Sequence, residues 1–212
     1  MTIPQSTGFT DAAATWNSRF QSSTYLFGTE ANSWLKEYGH VLSAGQRVLS
    51  VADGEGRNSV YLASLGLVVD AFDIAELGVA KAKKLAETQG VTVNFLVSDC
   101  DQYAWTPNGY DGVAAIFIQF ADPEMRKRLF SNIKASLKVG GYLILQGYTP
   151  QQLEYKTGGP SLAAHLYTRD MLELEFSDFD ILELREYEEN LNEGTQHAGR
   201  SALIGLVARK RI

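Results

Sequence analysis

The sequence lacks most features that mark a secreted, membrane-spanning or metal-binding protein. It holds one cysteine, Cys100, among 212 residues, so an internal disulfide cannot form. Its three histidines, at positions 40, 165 and 197, do not have the spacing of metal ligands. No apolar run approaches the ~20 residues of a membrane span, and the N-terminus has neither the basic start nor the apolar stretch of a signal peptide. We therefore expect a cytoplasmic protein with no membrane partner and no bound metal.

Positive charge is also scarce. The chain has 19 lysines and arginines against 25 aspartates and glutamates, which gives a formal net charge of −6 at pH 7. A nucleic-acid partner normally requires a basic face, so this balance argues against one. The length and the 45% hydrophobic content suit one domain with a sizeable core, and no linker divides residues 1–212. The composition leaves the oligomeric state open.

The most informative stretch is residues 48–63, which read VLSVADGEGRNSVYLA. Val48 to Val51 have the aliphatic pattern of a strand that is buried on both faces. Residues 52–56 are small and glycine-rich, and residues 57–63 favour a helix. A strand, a glycine turn and a helix in this order let the backbone approach a ligand closely and point helix N–H groups at it. A tight turn that merely needs the positive φ of glycine is the alternative.

The next apolar run supports the ligand-binding interpretation. Residues 67–72 predict a second strand, and this strand stops at Asp73. In nucleotide-binding α/β sheets, an acid at this position accepts hydrogen bonds from the two ribose hydroxyls. Asp73 as a cap for the helix that begins near Glu76 is the alternative.

Strands and helices alternate from residue 47 onward, which implies parallel strands with right-handed crossovers. The predicted strands are 47–52, 67–73, 92–97, 110–118 and 141–148. The predicted helices are 56–65, 76–89, 122–138 and 168–176. Two further strands, 179–188 and 201–210, have no helix between them and must form a hairpin around a polar loop. The prediction is an α/β, Rossmann-like, three-layer sandwich whose last strand is antiparallel.

The segment before the sheet is rich in aromatic residues. A short helix capped by Thr10 or Asp11 is expected first, and a second helix capped by Thr29 is expected to end at Gly39. Residues 10–40 are interpreted as a helical lid that covers a ligand and excludes water. A flap that belongs to the permanent core is the alternative. The aromatic residues of this segment include Trp16, Phe20, Tyr25 and Phe27.

From Trp16 to its end the chain resembles the class I S-adenosylmethionine-dependent methyltransferases. GRNSVYLA at 56–63, followed by VVDAFDIA at 68–75, is similar to the tellurite-resistance group of that family. The resemblance implies a seven-stranded sheet in the order 3-2-1-4-5-7-6 with S-adenosyl-L-methionine as cofactor. It also implies methyl transfer to a small-molecule acceptor, with a chalcogen oxyanion such as tellurite or selenite as a candidate.

The resemblance assigns cofactor contacts to residues near the strand ends. It places the turn against the methionine portion and ribose, Asp73 on the ribose hydroxyls, and Asp99 with the Cys100 backbone at the adenine amino edge. Arg57 is expected by the cofactor carboxylate, with a surface salt bridge as its alternative. The full expected set is Ala52, Asp53, Gly54, Gly56, Arg57, Asn58, Asp73, Ile74, Asp99, Cys100, Ile118, Gln119 and Phe120.

Two residues depart from the family pattern. Ser50 stands where the family usually has an acid that helps to hold the methionyl ammonium, so this contact is expected to pass to Asp53 or to backbone carbonyls. Ala52 stands where the family usually has a glycine and narrows the turn.

No catalytic dyad is evident, and methyl transfer from a sulfonium requires mainly alignment and the exclusion of water. His197, in the predicted hairpin loop, is the best candidate for an acceptor-side role, with a solvated loop histidine as the alternative. The residues expected to contact the acceptor are Trp16, Arg19, Tyr25, Phe27, Tyr148 and His197.

Two other functions stay open at this point. A nicotinamide dehydrogenase would carry G-x-G-x-x-G/A, but Ser59 stands at its third position and the terminal hairpin fits it poorly. A non-catalytic S-adenosylmethionine-binding protein is compatible with Ser50 and with the lack of an evident base.

Overall fold

The computed structural model describes residues 8–211, with side chains from residue 12 onward. Seven strands in this part of the chain form one sheet in the order β3-β2-β1-β4-β5-β7-β6. The pairs among β1 to β5 are parallel, whereas β7 runs antiparallel to both β5 and β6. The predicted topology is confirmed. The strands are β1 (Arg47–Val51), β2 (Val68–Asp73), β3 (Asn94–Val97), β4 (Tyr110–Ile116), β5 (Leu137–Tyr148), β6 (Phe179–Glu193) and β7 (His197–Lys210).

Helices cover both faces of this sheet. Consecutive residues of β4, such as Val113 and Ala114, belong to two different hydrophobic clusters on opposite faces. Because side chains alternate along a strand, this arrangement buries the central strands on both sides and gives three layers. The helices are α1 (Gly8–Arg19), α2 (Ser33–Tyr38), α3 (Arg57–Ser64), α4 (Glu76–Gln89), α5 (Pro123–Ser136), α6 (Gln152–Tyr155) and α7 (Arg169–Glu175). None of these helices has both the length and the apolar character that crossing a membrane requires.

The N-terminal helices differ from their predicted bounds. Helix α1 already includes Gly8, so Thr10 and Asp11 lie within it rather than at its cap. Helix α2 is capped by Asn32, whose Oδ1 accepts a hydrogen bond from the Leu35 N–H at 3.1 Å. Gly39 has a φ of −56° and continues into a 3₁₀ turn, so it does not serve as a left-handed helix stop.

The terminal hairpin is longer than predicted. Strand β6 continues to Glu193 and β7 begins at His197, so the loop is only residues 194–196. The predicted polar loop was wrong because polar residues on the solvent-facing side of an edge strand resemble a loop in sequence. His197 therefore lies at the first position of β7, directly opposite Glu193 in the strand register.

Candidate active site

A cavity of about 500 Å³ opens at the carboxyl edge of the parallel strands. Residues that follow β1, β2, β3 and β4 line it together with side chains from the N-terminal segment. In open α/β sheets, ligands bind at this edge. The predicted site residues that line the cavity are Trp16, Phe27, Ala52, Asp53, Gly54, Arg57, Asn58, Asp73, Ile74, Asp99, Cys100, Phe120 and His197. The predicted residues outside the lining are Arg19, Tyr25, Gly56, Ile118, Gln119 and Tyr148.

Asp73 joins the loops that follow β1 and β2. Its Oδ2 accepts a hydrogen bond from the Gly54 N–H at 2.9 Å, and its Oδ1 accepts one from the Ala75 N–H at 2.9 Å. Burial raises the pKa of Asp73, and these backbone donors oppose that shift. Asp73 is thus a backbone cap that also faces the cavity. Because each carboxylate oxygen offers more than one acceptor position, it can still receive hydroxyl donors.

A second carboxylate lies beneath the glycine turn. Asp53 accepts a hydrogen bond from Ser50 Oγ at 2.7 Å, and it also accepts one from Ser59 Oγ. Burial raises the pKa of Asp53 to about 6, although the hydroxyls of Ser59 and Ser50 oppose the shift. The turn therefore has a nearby acid even though position 50 is a serine.

The two glycines of the turn, Gly54 and Gly56, have different structural roles. Gly54 faces the cavity, and a Cβ at this position would lie 3.6 Å from the Phe20 ring. A Cβ on Gly56 would lie 2.6 Å from Ala82 Cβ, which is too close for two carbon atoms. Gly56 is thus required for the close approach of α3 to α4 and not for the approach of a ligand.

The chain after β4 differs from the prediction. Strand β4 ends at Ile116, and Phe117 adopts a left-handed φ of +56°, which is uncommon for an aromatic residue. This turn directs Ile116 and Phe117 to the cavity and buries Ile118 in the core. The Gln119 amide forms two hydrogen bonds with the backbone of Tyr148. Its Oε1 accepts from the Tyr148 N–H at 2.6 Å, and its Nε2 donates to the Tyr148 carbonyl at 2.9 Å.

The loop after β3 supplies Asp99 and Cys100. Asp99 Oδ1 accepts hydrogen bonds from the N–H groups of Asp101 and Gln102, at 2.9 and 2.8 Å, and so fixes this loop. Cys100 is 4% exposed, and burial raises the pKa of its thiol above the usual range. A thiol in this state is not a nucleophile.

Glu55 anchors the N-terminal segment, a role that the sequence did not reveal. Its buried carboxylate accepts a hydrogen bond from the Leu26 N–H at 2.6 Å and pairs with Lys81. Lys81 Nζ in turn donates to the carbonyls of Ser22 and Thr24, at 2.9 and 2.6 Å. Tyr25 donates its hydroxyl to the Lys81 carbonyl, which explains why it lies outside the cavity lining. Residues 22–27 are held against the glycine turn by these contacts.

His197 lies in the wall of the cavity opposite the glycine turn, where β7 of the terminal hairpin begins. Its ring packs between Phe27 and Phe117, with centroid distances of 4.7 and 4.4 Å, and the residue is 9% exposed. A solvated loop histidine is thereby excluded. Tyr148 lies behind it, 5.7 Å away, and Arg19 contacts the hairpin loop by donating to Gln196 Oε1 at 3.1 Å.

Arg57 reaches the same wall from the start of α3. Its Nη2 lies 2.7 Å from Glu193 Oε2, and the arginine is only 6% exposed. The salt bridge is therefore buried, so the alternative of a surface salt bridge does not hold. The guanidinium still borders the cavity.

Comparison with known proteins agrees with this geometry. Residues 48–141 match the family model described as a methyltransferase domain. The probable S-adenosyl-L-methionine-dependent methyltransferase TehB of Haemophilus influenzae is 27% identical over 149 residues, which cover 69% of this chain and 49% of TehB. The chain thus spans about half the length of the curated relatives it matches.

Solved structures share the fold. The crystal structure of TehB from H. influenzae superposes with a TM-score of 0.69 at 22% identity, covering 85% of this chain and 63% of TehB. A structure of a SAM-dependent methyltransferase from Methanosarcina mazei gives a TM-score of 0.69 at 18% identity, covering 86% of this chain and 99% of that one.

The sheet order is the one expected for class I S-adenosylmethionine-dependent methyltransferases, and residues 48–141 match a methyltransferase domain. Proteins of this class use S-adenosyl-L-methionine as cofactor. The chain is similar to one such protein, TehB, in part of its sequence and in its fold.

Ala52 gives a test of the turn geometry. It has a φ of +49°, where a side chain costs about 1–2 kcal/mol. Glycine removes this cost, but it also raises the conformational entropy of the unfolded chain, which stabilises the unfolded state by about 0.4–1 kcal/mol. We expect Ala52→Gly to raise the free energy of unfolding by about 0.5–1 kcal/mol in denaturant titrations.

The matched control is Ala80→Gly, at an exposed site inside helix α4. This change should lower the free energy of unfolding by about 1 kcal/mol because glycine disfavours a helix. If the two variants lose the same stability, Ala52 is not strained.

Proposed function

We propose that this protein transfers a methyl group from S-adenosyl-L-methionine to a small-molecule acceptor. The observation that carries the proposal is the Asp73 carboxylate, fixed by Gly54 and Ala75, at the edge of the 500 Å³ cavity. When bound, the cofactor supplies a methyl group attached to a sulfonium sulfur, which is a good leaving group when a nucleophile takes the methyl group. The chain's own residues hold the cofactor, orient the acceptor and exclude water.

The lining fits this cofactor in shape and chemistry. Asp73 offers acceptors for a ribose diol, and the missing Cβ of Gly54 leaves room for a close approach. Ile74 supplies an apolar surface next to Asp73, while Asp99 and Cys100 border the region expected for the adenine.

The charge of the lining favours the same ligand. Four aspartates, Asp53, Asp73, Asp99 and Asp122, line the cavity, and the lining arginine, Arg57, is already paired with Glu193. A sulfonium with an ammonium group is attracted by such a surface. The pyrophosphate of a nicotinamide dinucleotide is repelled by it, which argues against the dehydrogenase alternative.

Aromatic side chains form the acceptor side of the cavity. Trp16 stacks on Phe20 with centroids 5.4 Å apart, and Phe27 lies 6.3 Å from Trp16. Such a wall excludes water and accommodates a compact acceptor. Tellurite and selenite belong in the acceptor panel because of the sequence similarity to the tellurite-resistance group.

Calorimetry tests the proposal directly. S-adenosylhomocysteine should bind, NADH should not, and Asp73→Asn should weaken binding by about 1.5–3 kcal/mol, or about 10- to 150-fold. Loss of charge-assisted hydrogen bonds to the ribose is the reason. Asp101→Asn is the matched control, since Asp101 is exposed and pairs with Arg128.

Binding of NADH without S-adenosylhomocysteine would contradict the proposal. Incubation with methyl-labelled cofactor and a panel of acceptors then separates an enzyme from a binding protein. An enzyme releases labelled product, whereas a non-catalytic binding protein only retains the label.

We also propose that residues 10–40 form a lid over the cofactor within a single domain of residues 1–212. Helix α1 contributes Ala12 and Trp16 to the cavity wall, while Glu55 and Lys81 tether residues 22–27 behind it. A helix that contacts the bound molecule on one side and a tether on the other can close over it.

Hydrogen exchange tests the lid. Amides of residues 10–30, apart from the tethered residues 22–27, should exchange quickly in the free protein and slow markedly with S-adenosylhomocysteine bound, because closure protects them. Amides of the second half of α5, where Leu129, Phe130 and Ile133 are buried in the core, serve as the internal control. Strong and equal protection of residues 10–30 in both states would contradict a lid and place the segment in the permanent core.

A further inference from the structure

A buried ionic cluster lies beside the acceptor side of the cavity. Glu193 at the end of β6 contacts Arg57 at 2.7 Å, and its Oε1 accepts a hydrogen bond from Asn32 Nδ2 at 3.0 Å. His197, at the start of β7, places Nδ1 3.5 Å from Glu193 Oε2. These groups come from three distant parts of the chain, so the fold assembles the cluster at one point of the cavity wall.

A buried ionic cluster of this kind contributes little to the stability of a fold. Burying an ion pair costs desolvation that the attraction often fails to recover, and an apolar replacement is frequently as stable. Perturbed ionisable groups in the wall of a cleft are instead typical of functional sites. His197 is the member of the cluster that can exchange a proton near neutral pH.

The two ring nitrogens of His197 have different surroundings. Nδ1 is buried and faces Glu193 without a hydrogen bond of ordinary length. Nε2 has no hydrogen bond to any described residue, and the ring lines the cavity. Catalytic hydrogen bonds are often long in an empty site and shorten when the substrate complex forms.

The surroundings of His197 determine which acceptor fits. Phe27 and Phe117 flank the imidazole within 5 Å, so an apolar body is favoured there. The neighbouring cation of the lining, Arg57, is neutralised by Glu193. An oxyanion acceptor would meet no unpaired lysine or arginine among the described lining residues.

We infer that His197 accepts the proton of a protic acceptor, a thiol or a hydroxyl on an apolar body, and that Glu193 positions the imidazole. The inference rests on the proposed methyl transfer. The acceptor's sulfur or oxygen forms a bond to the methyl carbon as the carbon–sulfonium bond breaks, and that electron pair goes to the sulfonium sulfur. The acceptor's proton passes to Nε2, and Glu193 stabilises the resulting imidazolium.

The electrostatics agree with this role. Burial lowers the pKa of His197, Glu193 opposes the shift, and Arg57 and Arg19 add to it, so the imidazole is neutral and able to accept a proton at pH 7. Burial alone would raise the pKa of Glu193, but His197 and Arg57 together lower it to about 2. Tyr148, the other titratable neighbour, stays protonated because burial raises its pKa.

An NMR titration tests the positioning without any ligand. The sequence has three histidines, so the His197 signal is identified by its loss in His197→Gln. Glu193→Gln should lower the measured pKa of His197 by about 1 pH unit because an adjacent negative charge is removed. Glu193→Asp should restore most of it. An unchanged pKa in a folded Glu193→Gln protein would overturn the positioning role.

Turnover tests the proton transfer. With phenols and aliphatic thiols as acceptors, His197→Gln should reduce kcat by about 10²- to 10⁴-fold and remove the acid limb of the pH profile. Calorimetry should find the affinity for S-adenosylhomocysteine unchanged. If His197→Gln does not fold, His197→Asn takes its place. His40→Asn is the matched control, since His40 is exposed and lies outside the cavity lining.

The outcomes separate the two proposals. If neither the parent protein nor any variant binds S-adenosylhomocysteine, the proposed function fails, and the NMR titration still decides whether Glu193 controls His197. If the parent protein binds the cofactor and methylates thiols or phenols at a rate that His197→Gln preserves, the inference is wrong. Methylation of tellurite or selenite alone, unaffected by His197→Gln, would also overturn it.

Discussion

The hydrogen bonds that Asp73 accepts from Gly54 and Ala75 hold the loops after β1 and β2 together at the edge of the cavity. They join the end of β2 to the turn after β1, so the glycine turn cannot move away from the next strand. Helix α3 begins at the end of this turn and carries Arg57 into the cavity wall. One carboxylate thereby fixes the turn after β1 and the point from which α3 carries Arg57 into the cavity wall.

The N-terminal segment and the terminal hairpin meet on the far side of the cavity. The Thr195 N–H donates to the Leu26 carbonyl at 2.9 Å, and a Cβ on Gly194 would overlap that same oxygen. Glu55 holds Leu26 from below. The aromatic wall and His197 are thus linked through one short stretch of backbone, so a movement of residues 22–28 would also displace the hairpin tip.

The alternation of strands and helices, the glycine turn and the acid at the end of β2 could be predicted because each follows from local sequence: apolar runs, turn residues and an acid at a strand end. The order of the strands in the sheet came from the family resemblance. The tasks of Gly56 and Glu55 could not, since they depend on Ala82 and Lys81 of α4, which pack on them only after folding. His197 was assigned to a loop because the first residues of β7, at positions 197–200, lack the apolar pattern of the buried stretch that follows them. Ile118 and Gln119 were expected in the cavity because the left-handed turn at Phe117 has no sequence signal.

A crystal structure with S-adenosylhomocysteine tests most directly whether this cavity is the cofactor site. The ribose hydroxyls should lie within hydrogen-bond distance of the Asp73 carboxylate, with the homocysteine portion against Gly54 and the sulfur facing the aromatic wall. The His197 imidazole should remain open to the space in front of the sulfur. A ligand bound away from the carboxyl edge of β1 and β2, or a ribose with no contact to Asp73, would contradict the assignment of the site.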